Sequence, residues 1–116
     1  MTHETRMYAE AAQAPAAIGA QLERNAATVR ELGAWLRTRR PRAVLTCARG
    51  SSDHAATYAR YLIETRLGLM TSSAAPSVSS VYGADADLAQ TVMLVISQSG
   101  ASPDLLAAVA AASPRR

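Results

Sequence analysis

The chain of 116 residues contains no lysine, no phenylalanine and a single cysteine, Cys47. Without lysine, it can supply neither a Schiff-base amine nor an ammonium group to anchor a phosphate. One cysteine cannot close an internal disulfide, and it leaves no second thiolate for a structural zinc ion. We therefore expect no metal site and no disulfide.

Charge and aromatic residues are also sparse. All twelve basic residues are arginines, the net charge is +3, and aromatic residues make up 4% of the chain. Nucleic-acid binders usually gather basic residues on one surface with aromatics between them, and here only Arg37, Arg39, Arg40 and Arg42 cluster. That cluster is either a phosphate or nucleic-acid patch or, as we expect, a solvated helix end that complements the helix dipole. We predict no nucleic-acid partner.

Long apolar runs are missing as well. No stretch approaches the ~20 apolar residues of a membrane helix, and residues 1–24 hold no apolar block suited to a secretion signal. Neither GxGxxG nor GxxxxGK[ST] occurs. The sequence thus predicts a cytoplasmic chain with no membrane partner and no dinucleotide or other cofactor.

The first third of the sequence predicts helix. Apolar residues recur at intervals of three and four, with charged residues between them, over residues 4–39. Pro15 interrupts this pattern and can begin a second helix, while Pro41 ends the helical region. We expect an amino-terminal helical segment over residues 1–40 and an α/β domain over residues 41–116.

The α/β domain is predicted from two strand–turn–helix units. Ala43–Ala48 and Thr91–Ile96 are short apolar runs typical of strands buried in a parallel sheet. Each is followed by a small polar turn and then by helical spacing, from Ala55 to Gly68 and from Asp104 to Ala112. A short strand is expected within residues 69–75 and a helical turn over 77–82. Together these elements predict an open, doubly wound parallel sheet in a three-layer α/β/α arrangement.

Ligands of such sheets bind beyond the carboxyl ends of the strands, where both polar turns fall. Helix amino termini there offer unpaired N–H groups and partial positive charge, and serine hydroxyls and an amide add further donors. Serines at turns and helix caps are ordinary, so the prediction depends on the two turns lying together. The predicted phosphate- and sugar-binding residues are Gly50, Ser51, Ser52, Ser97, Gln98, Ser99 and Ser102.

Other reactive side chains receive structural interpretations. Ser52, Asp53 and His54 are contiguous and cannot form a hydrolase triad, whose members converge from separate elements. We expect Asp53 to favour the helix dipole, His54 to pack against a loop, and Cys47 to be an inert core thiol. Glu64 is interpreted as a carboxylate at a surface or packing edge, and Tyr58, Tyr61 and Tyr82 as core or interface residues rather than cleft residues.

Four segments resemble the sugar isomerase (SIS) domain, whose fold is flavodoxin-like. They are Ala48–Ala55, Tyr61–Glu64, Ala75–Gly83 and Ile96–Asp104. The strand followed by SQSG-x-[ST]-x-D is quite specific for sugar-phosphate SIS domains. The RGSSDHA turn is most similar to glucosamine-6-phosphate deaminases, relatives of the isomerase half of glutamine:fructose-6-phosphate amidotransferase. The amidotransferases usually carry cysteine where this chain has Arg49.

The resemblance implies a sugar-phosphate ligand, held in the sugar-binding half of an enzyme that converts glucosamine 6-phosphate to fructose 6-phosphate and ammonia. It also implies a homodimer. The family's proton-transfer glutamate, ring-opening histidine and terminal lysine match no residue here, so no catalytic residue is assigned and we expect an incomplete first SIS domain. Two alternatives remain open: the isomerase portion of an aminotransferase, and a sugar-phosphate-sensing module without catalysis.

Overall fold

The computed structural model describes residues 5–75, 81–83 and 86–113. In chain order the elements are α1 (Arg6–Arg39), β1 (Ala43–Ala48), α2 (Ser51–Leu67), β2 (Met70–Ser73), β3 (Thr91–Ile96) and α3 (Pro103–Ala112). The three predicted strands and the helix after β3 are confirmed. The helical turn expected over 77–82 lies mostly outside the described residues, and Val81 and Tyr82 form a turn.

Helix α1 is one continuous helix of 34 residues with Pro15 inside it, so the second helix expected to begin at Pro15 is wrong. Proline removes one N–H from the helical hydrogen bonds, and a long helix keeps the bonds on either side. The helix ends at Arg39 as predicted, and Arg40 adopts a left-handed φ of 48° before Pro41. Arg37 and Arg39 are exposed in the last turn, as expected for a helix end, and the Arg39 guanidinium lies 5.1 Å from the centre of the Trp35 ring.

The chain divides into two compact units, Met1–Arg39 and Arg40–Arg116. The second unit contains a three-stranded parallel sheet in the order β2-β1-β3. Strand β1 is the central strand, with β2 on one side and β3 on the other. It pairs with β3 along its whole length, from Ala43 opposite Thr91 to Ala48 opposite Ile96. Both strands therefore end at the same level.

Successive residues of β1 face opposite sides of the sheet, and each side has its own helix. Cys47 is fully buried and packs with Leu105 and Ala108 of α3. Its neighbour Thr46 points to the other side, where it lines a cleft together with Ala56 of α2. Helices α2 and α3 thus cover opposite faces, which confirms the predicted doubly wound, three-layer arrangement.

Helix α2 begins at Ser51, so Asp53 lies in its first turn as expected, and the helix includes the residues before the apolar spacing that starts at Ala55. This start places the serines of the first polar turn inside the helix. The helix ends as predicted at Gly68, whose left-handed φ of 65° lets its N–H donate to the Glu64 carbonyl at 3.2 Å.

Candidate functional site

The matched ends of β1 and β3 bring the two polar turns into one cleft. Its volume is about 200 Å³, and it opens beyond the carboxyl ends of the two strands. All seven residues predicted as ligand-binding line it, and the described residues of its lining are Arg49, Gly50, Ser51, Ser52, Ile96, Ser97, Gln98, Ser99, Ser102 and Leu105. The two turns are separated by more than forty residues in sequence, so parallel pairing alone accounts for their proximity.

Gly50 makes the turn between β1 and α2 possible. Its φ of 58° and ψ of −134° lie in a region that is favourable only for glycine. The Gly50 carbonyl accepts the N–H of Asp53 at 3.1 Å, which closes the first turn of α2. A Cβ added at Gly50 would meet no atom within 4 Å, so the glycine is required by the backbone and not by crowding.

The second turn is organised by its own serines. The Ser97 Oγ accepts the N–H of Gly100 at 3.0 Å, and the Ser99 Oγ accepts the N–H of Ala101 at 3.2 Å. Each hydroxyl can still donate its proton to a ligand, since a serine hydroxyl both accepts and donates. The structural interpretation of these serines and the ligand-binding interpretation are therefore compatible.

Neither helix that begins at the cleft has a side-chain cap. Gly50 precedes α2, and the hydroxyl of Ser102 makes no cap bond at the start of α3. The first hydrogen bond of α3 joins the Leu106 N–H to the Ser102 carbonyl at 3.0 Å. Pro103 has no N–H to donate, and the Asp104 N–H lies against its own carboxylate, so the backbone donors for an anion come mainly from the first turn of α2. Both helix dipoles carry positive charge to this end.

A charged side chain that the sequence-based selection missed also lines the cleft. The Arg49 Nε and Nη2 both donate to Oδ2 of Asp104, at 3.0 and 2.5 Å. This hydrogen bond lowers the pKa of the Asp104 carboxyl, assisted by the backbone N–H of Asp104 itself. Arg49 was visible in the sequence as the residue between β1 and the glycine turn. Its partner is 55 positions away and could not be recognised from local spacing.

Cys47 is the inert core thiol that the sequence predicts. Its side chain is completely buried under α3, and burial raises the pKa of the thiol, with a smaller opposing effect of the Arg49 charge. A buried, protonated thiol is a poor nucleophile. Cys47 therefore supports the floor of the cleft and takes no part in its chemistry.

His54 differs from its prediction. It is exposed on α2 instead of packing against a loop, and it is not among the described residues that line the cleft. Tyr58, Tyr61 and Tyr82 are exposed by 68%, 67% and 79%, so within this chain they are not core residues. Their interpretation as interface residues stays a prediction, because sequence periodicity cannot distinguish an apolar face that a partner covers from one that is exposed. Tyr61 lines a separate cleft under α2.

A second cleft of about 290 Å³ lies under α2, on the other side of the sheet. Glu64 lines it together with Asp53, which is exposed in the first turn of α2 as expected. The Glu64 Oε1 accepts the N–H of Thr71 in β2 and the Nε of Arg60, both at 3.2 Å. This carboxylate holds the helix to the edge strand, as its interpretation as a packing-edge group predicts. This cleft is larger than the cleft between the serine turns, and neither serine turn lines it.

The lining of the cleft between the serine turns defines what it can do. The described residues that line it include no carboxylate and no histidine, so none of these residues is suited to proton transfer near neutral pH. The cleft instead presents hydroxyls, an amide, helix amino termini and one guanidinium. Such a set suits an anion that is joined to a group bearing hydroxyls.

Within the described ranges, no set of three or more histidine, cysteine, aspartate or glutamate side chains is placed to hold a metal ion. None of the described helices is long and apolar enough to cross a membrane.

No protein-family model matches the sequence, and neither does any curated protein. A solved structure does: a protein from Silicibacter pomeroyi DSS-3, provisionally named a phosphosugar isomerase, superposes with a TM-score of 0.83 at 45% sequence identity. The match covers 86% of this chain and 31% of that protein, so this chain spans about a third of its length.

The parallel sheet covered by helices on both faces is that of a flavodoxin-like α/β protein. The 45% identity to a protein named as a phosphosugar isomerase supports the sugar isomerase (SIS) domain that the motifs predicted. This similarity does not distinguish the deaminase branch from other branches of the family.

Proposed function

We propose that the cleft between the two serine turns binds the phosphate and neighbouring hydroxyls of a phosphosugar. The observation that carries the proposal is the convergence of Gly50, Ser51 and Ser52 with Ser97, Gln98, Ser99 and Ser102 at the amino ends of two helices. The similarity to a protein named as a phosphosugar isomerase supports the same ligand class.

The energetics suit a phosphate ester. Hydrogen bonds to a charged group each contribute about 1.5–3 kcal/mol, and a helix amino terminus adds about 0.3–1 kcal/mol in an exposed position. The cleft offers backbone N–H groups of α2 and the hydroxyls of Ser52, Ser99 and Ser102 without any lysine. Gln98 is exposed at the rim, where its amide can both donate to and accept from a sugar hydroxyl.

We further propose that the chain forms the sugar-phosphate half of an aminosugar-phosphate deaminase or isomerase, in which glucosamine 6-phosphate becomes fructose 6-phosphate and ammonia. The RGSSDHA turn, residues 49–55, supports this branch. Because the described residues of the cleft lining include no proton-transfer group, catalysis requires residues beyond these. The isomerase portion of an aminotransferase is an alternative with the same cleft.

A sugar-phosphate-sensing module is a second candidate function. It is favoured by one observation, namely that no aspartate, glutamate or histidine is found among the lining residues that the structure describes. A sensor needs affinity and a change in order on binding, but no acid or base. We also propose that the protein acts as a homodimer in the cytoplasm, following its family resemblance. Sedimentation of the chain at micromolar concentration tests the dimer.

Hydrogen-exchange mass spectrometry with glucosamine 6-phosphate tests the ligand class, with unphosphorylated glucosamine as the control ligand. We expect slower exchange over residues 48–56 and 96–104 with the phosphate ester only. Ser52→Ala should weaken this protection, while Ser113→Ala, at the far end of α3, should not. Protection by glucosamine alone, or equal exchange with both ligands, would contradict the proposal.

The same measurement with fructose 6-phosphate and glucose 6-phosphate tests the branch. A deaminase of amino sugars should be protected at the lowest concentration by glucosamine 6-phosphate or by fructose 6-phosphate, its substrate and product. Equal protection by all three esters would argue against that branch and leave the phosphosugar class intact.

A further inference from the structure

We propose that Arg49 binds the phosphate group directly and that Asp104 positions it to do so. This inference rests on the proposed phosphosugar site and adds the residue that gives the site its preference for a doubly charged anion. Within the described part of the chain, Arg49 is the one charged residue that lines the cleft. Without it, the lining contributes only neutral donors and helix dipoles.

The location of Arg49 is determined by both turns. It follows β1 directly and precedes Gly50, so its backbone belongs to the first turn. Its guanidinium reaches Asp104 in the first turn of α3, next to the second serine turn. The side chain therefore spans the cleft from one helix amino terminus to the other, where an anion held by both turns would lie.

The contact with Asp104 leaves most of the guanidinium available. Nε and Nη2 donate to the same oxygen, Oδ2, at 3.0 and 2.5 Å. A guanidinium has five N–H donors, so three remain, two of them on Nη1. The Arg49 side chain is 61% exposed, and a ligand can reach these donors without breaking the ion pair. Guanidinium donors in a planar fork match two phosphate oxygens at once.

Asp104 affects a bound anion in two opposing ways. Its negative charge repels a phosphate at the start of α3, although the paired guanidinium offsets that charge. Its carboxylate also holds the guanidinium in place. The geometry favours a positioning role, because a long arginine side chain loses less freedom on binding when one edge is already held. A lysine at this position could not keep both contacts, since its ammonium has neither Nε nor the planar fork.

Calorimetric titration of the full chain with glucosamine 6-phosphate tests the proposal at low and moderate salt. We expect Arg49→Gln to weaken binding at least tenfold and to reduce its salt dependence. Arg49→Lys should recover part of the affinity. Arg60→Gln is the matched control, because Arg60 also pairs with a carboxylate, Glu64, but on the other face of the sheet. It should bind within about twofold of the wild type.

Asp104→Asn tests positioning through a double-mutant cycle. We expect Arg49→Gln to reduce affinity much less in the Asp104→Asn background than in the wild type. An equal reduction in both backgrounds would show that Asp104 does not position the guanidinium. Circular dichroism and the unfolding midpoint of each variant separate loss of affinity from loss of fold.

The outcomes also distinguish the two proposals. Wild-type binding that Arg49→Gln leaves unchanged would overturn the role of Arg49 and leave the phosphosugar site standing. No binding of glucosamine 6-phosphate, fructose 6-phosphate or inorganic phosphate by the folded wild type would overturn both.

Discussion

Replacing Gly50 by alanine tests the backbone geometry on which the cleft depends. At φ 58° and ψ −134°, a residue with a Cβ is strained by about 1–3 kcal/mol. A Cβ there meets nothing within 4 Å, so no steric clash adds to this cost. We therefore expect the free energy of unfolding to fall by about 2 kcal/mol, unless the turn relaxes and the cleft changes shape instead.

The matched control is Gly68→Ala. Gly68 also has a positive φ, of 65°, and open space around its Cβ position, but it ends α2 far along the helix from the cleft. The left-handed helical region costs a residue with a Cβ about 1–2 kcal/mol. This control should lower stability and leave phosphosugar binding intact, whereas Gly50→Ala should lower both.

Urea unfolding followed by circular dichroism gives the stability of each variant, and calorimetric titration gives its affinity. For a domain of this size the denaturant slope is about 1 kcal/mol per molar urea, so a loss of about 2 kcal/mol should lower the Gly50→Ala midpoint by roughly 2 M. A Gly50→Ala chain with wild-type midpoint and wild-type affinity would refute the reasoning that this turn requires glycine.

Two further predictions concern the core and the ion pair. Cys47→Ser should lower the free energy of unfolding by about 1–3 kcal/mol in urea, because a hydroxyl would be buried without a partner. The native thiol should react slowly with a thiol reagent at pH 7. Fast labelling of the folded protein would contradict the burial of Cys47. The pKa of Asp104 is lower in the folded chain than the ordinary aspartate value of about 3.9. Its carboxylate therefore stabilises the fold at pH values above about 3.9. This contribution is lost as the pH falls through the folded-state pKa. Thermal melts of Asp104→Asn should accordingly lack part of the wild-type decline in acid, and an unchanged decline would rule that contribution out.

Local patterns were sufficient for most of the elements. The apolar runs at 43–48 and 91–96 became β1 and β3, and Pro103 became the first residue of α3. Local patterns were insufficient where the same residue type is compatible with two local structures. Pro15 can start a helix or lie within one, and only the continuity of hydrogen bonding along α1 decides between them. Likewise, α2 begins at Ser51 because the backbone of Gly50 makes a sharp turn directly before it.

The sequence by itself determined the chemistry that is present: two short turns rich in serine, each between an apolar strand and a helix, in a chain without lysine. Their residue types depend on local rules for turns and helix starts, which act over a few positions. Only the tertiary structure decided that the turns share a cleft, because that follows from the register of β1 with β3. The same is true of the pairing of Arg49 with Asp104, since contacts across a sheet depend on strand order and not on distance along the chain.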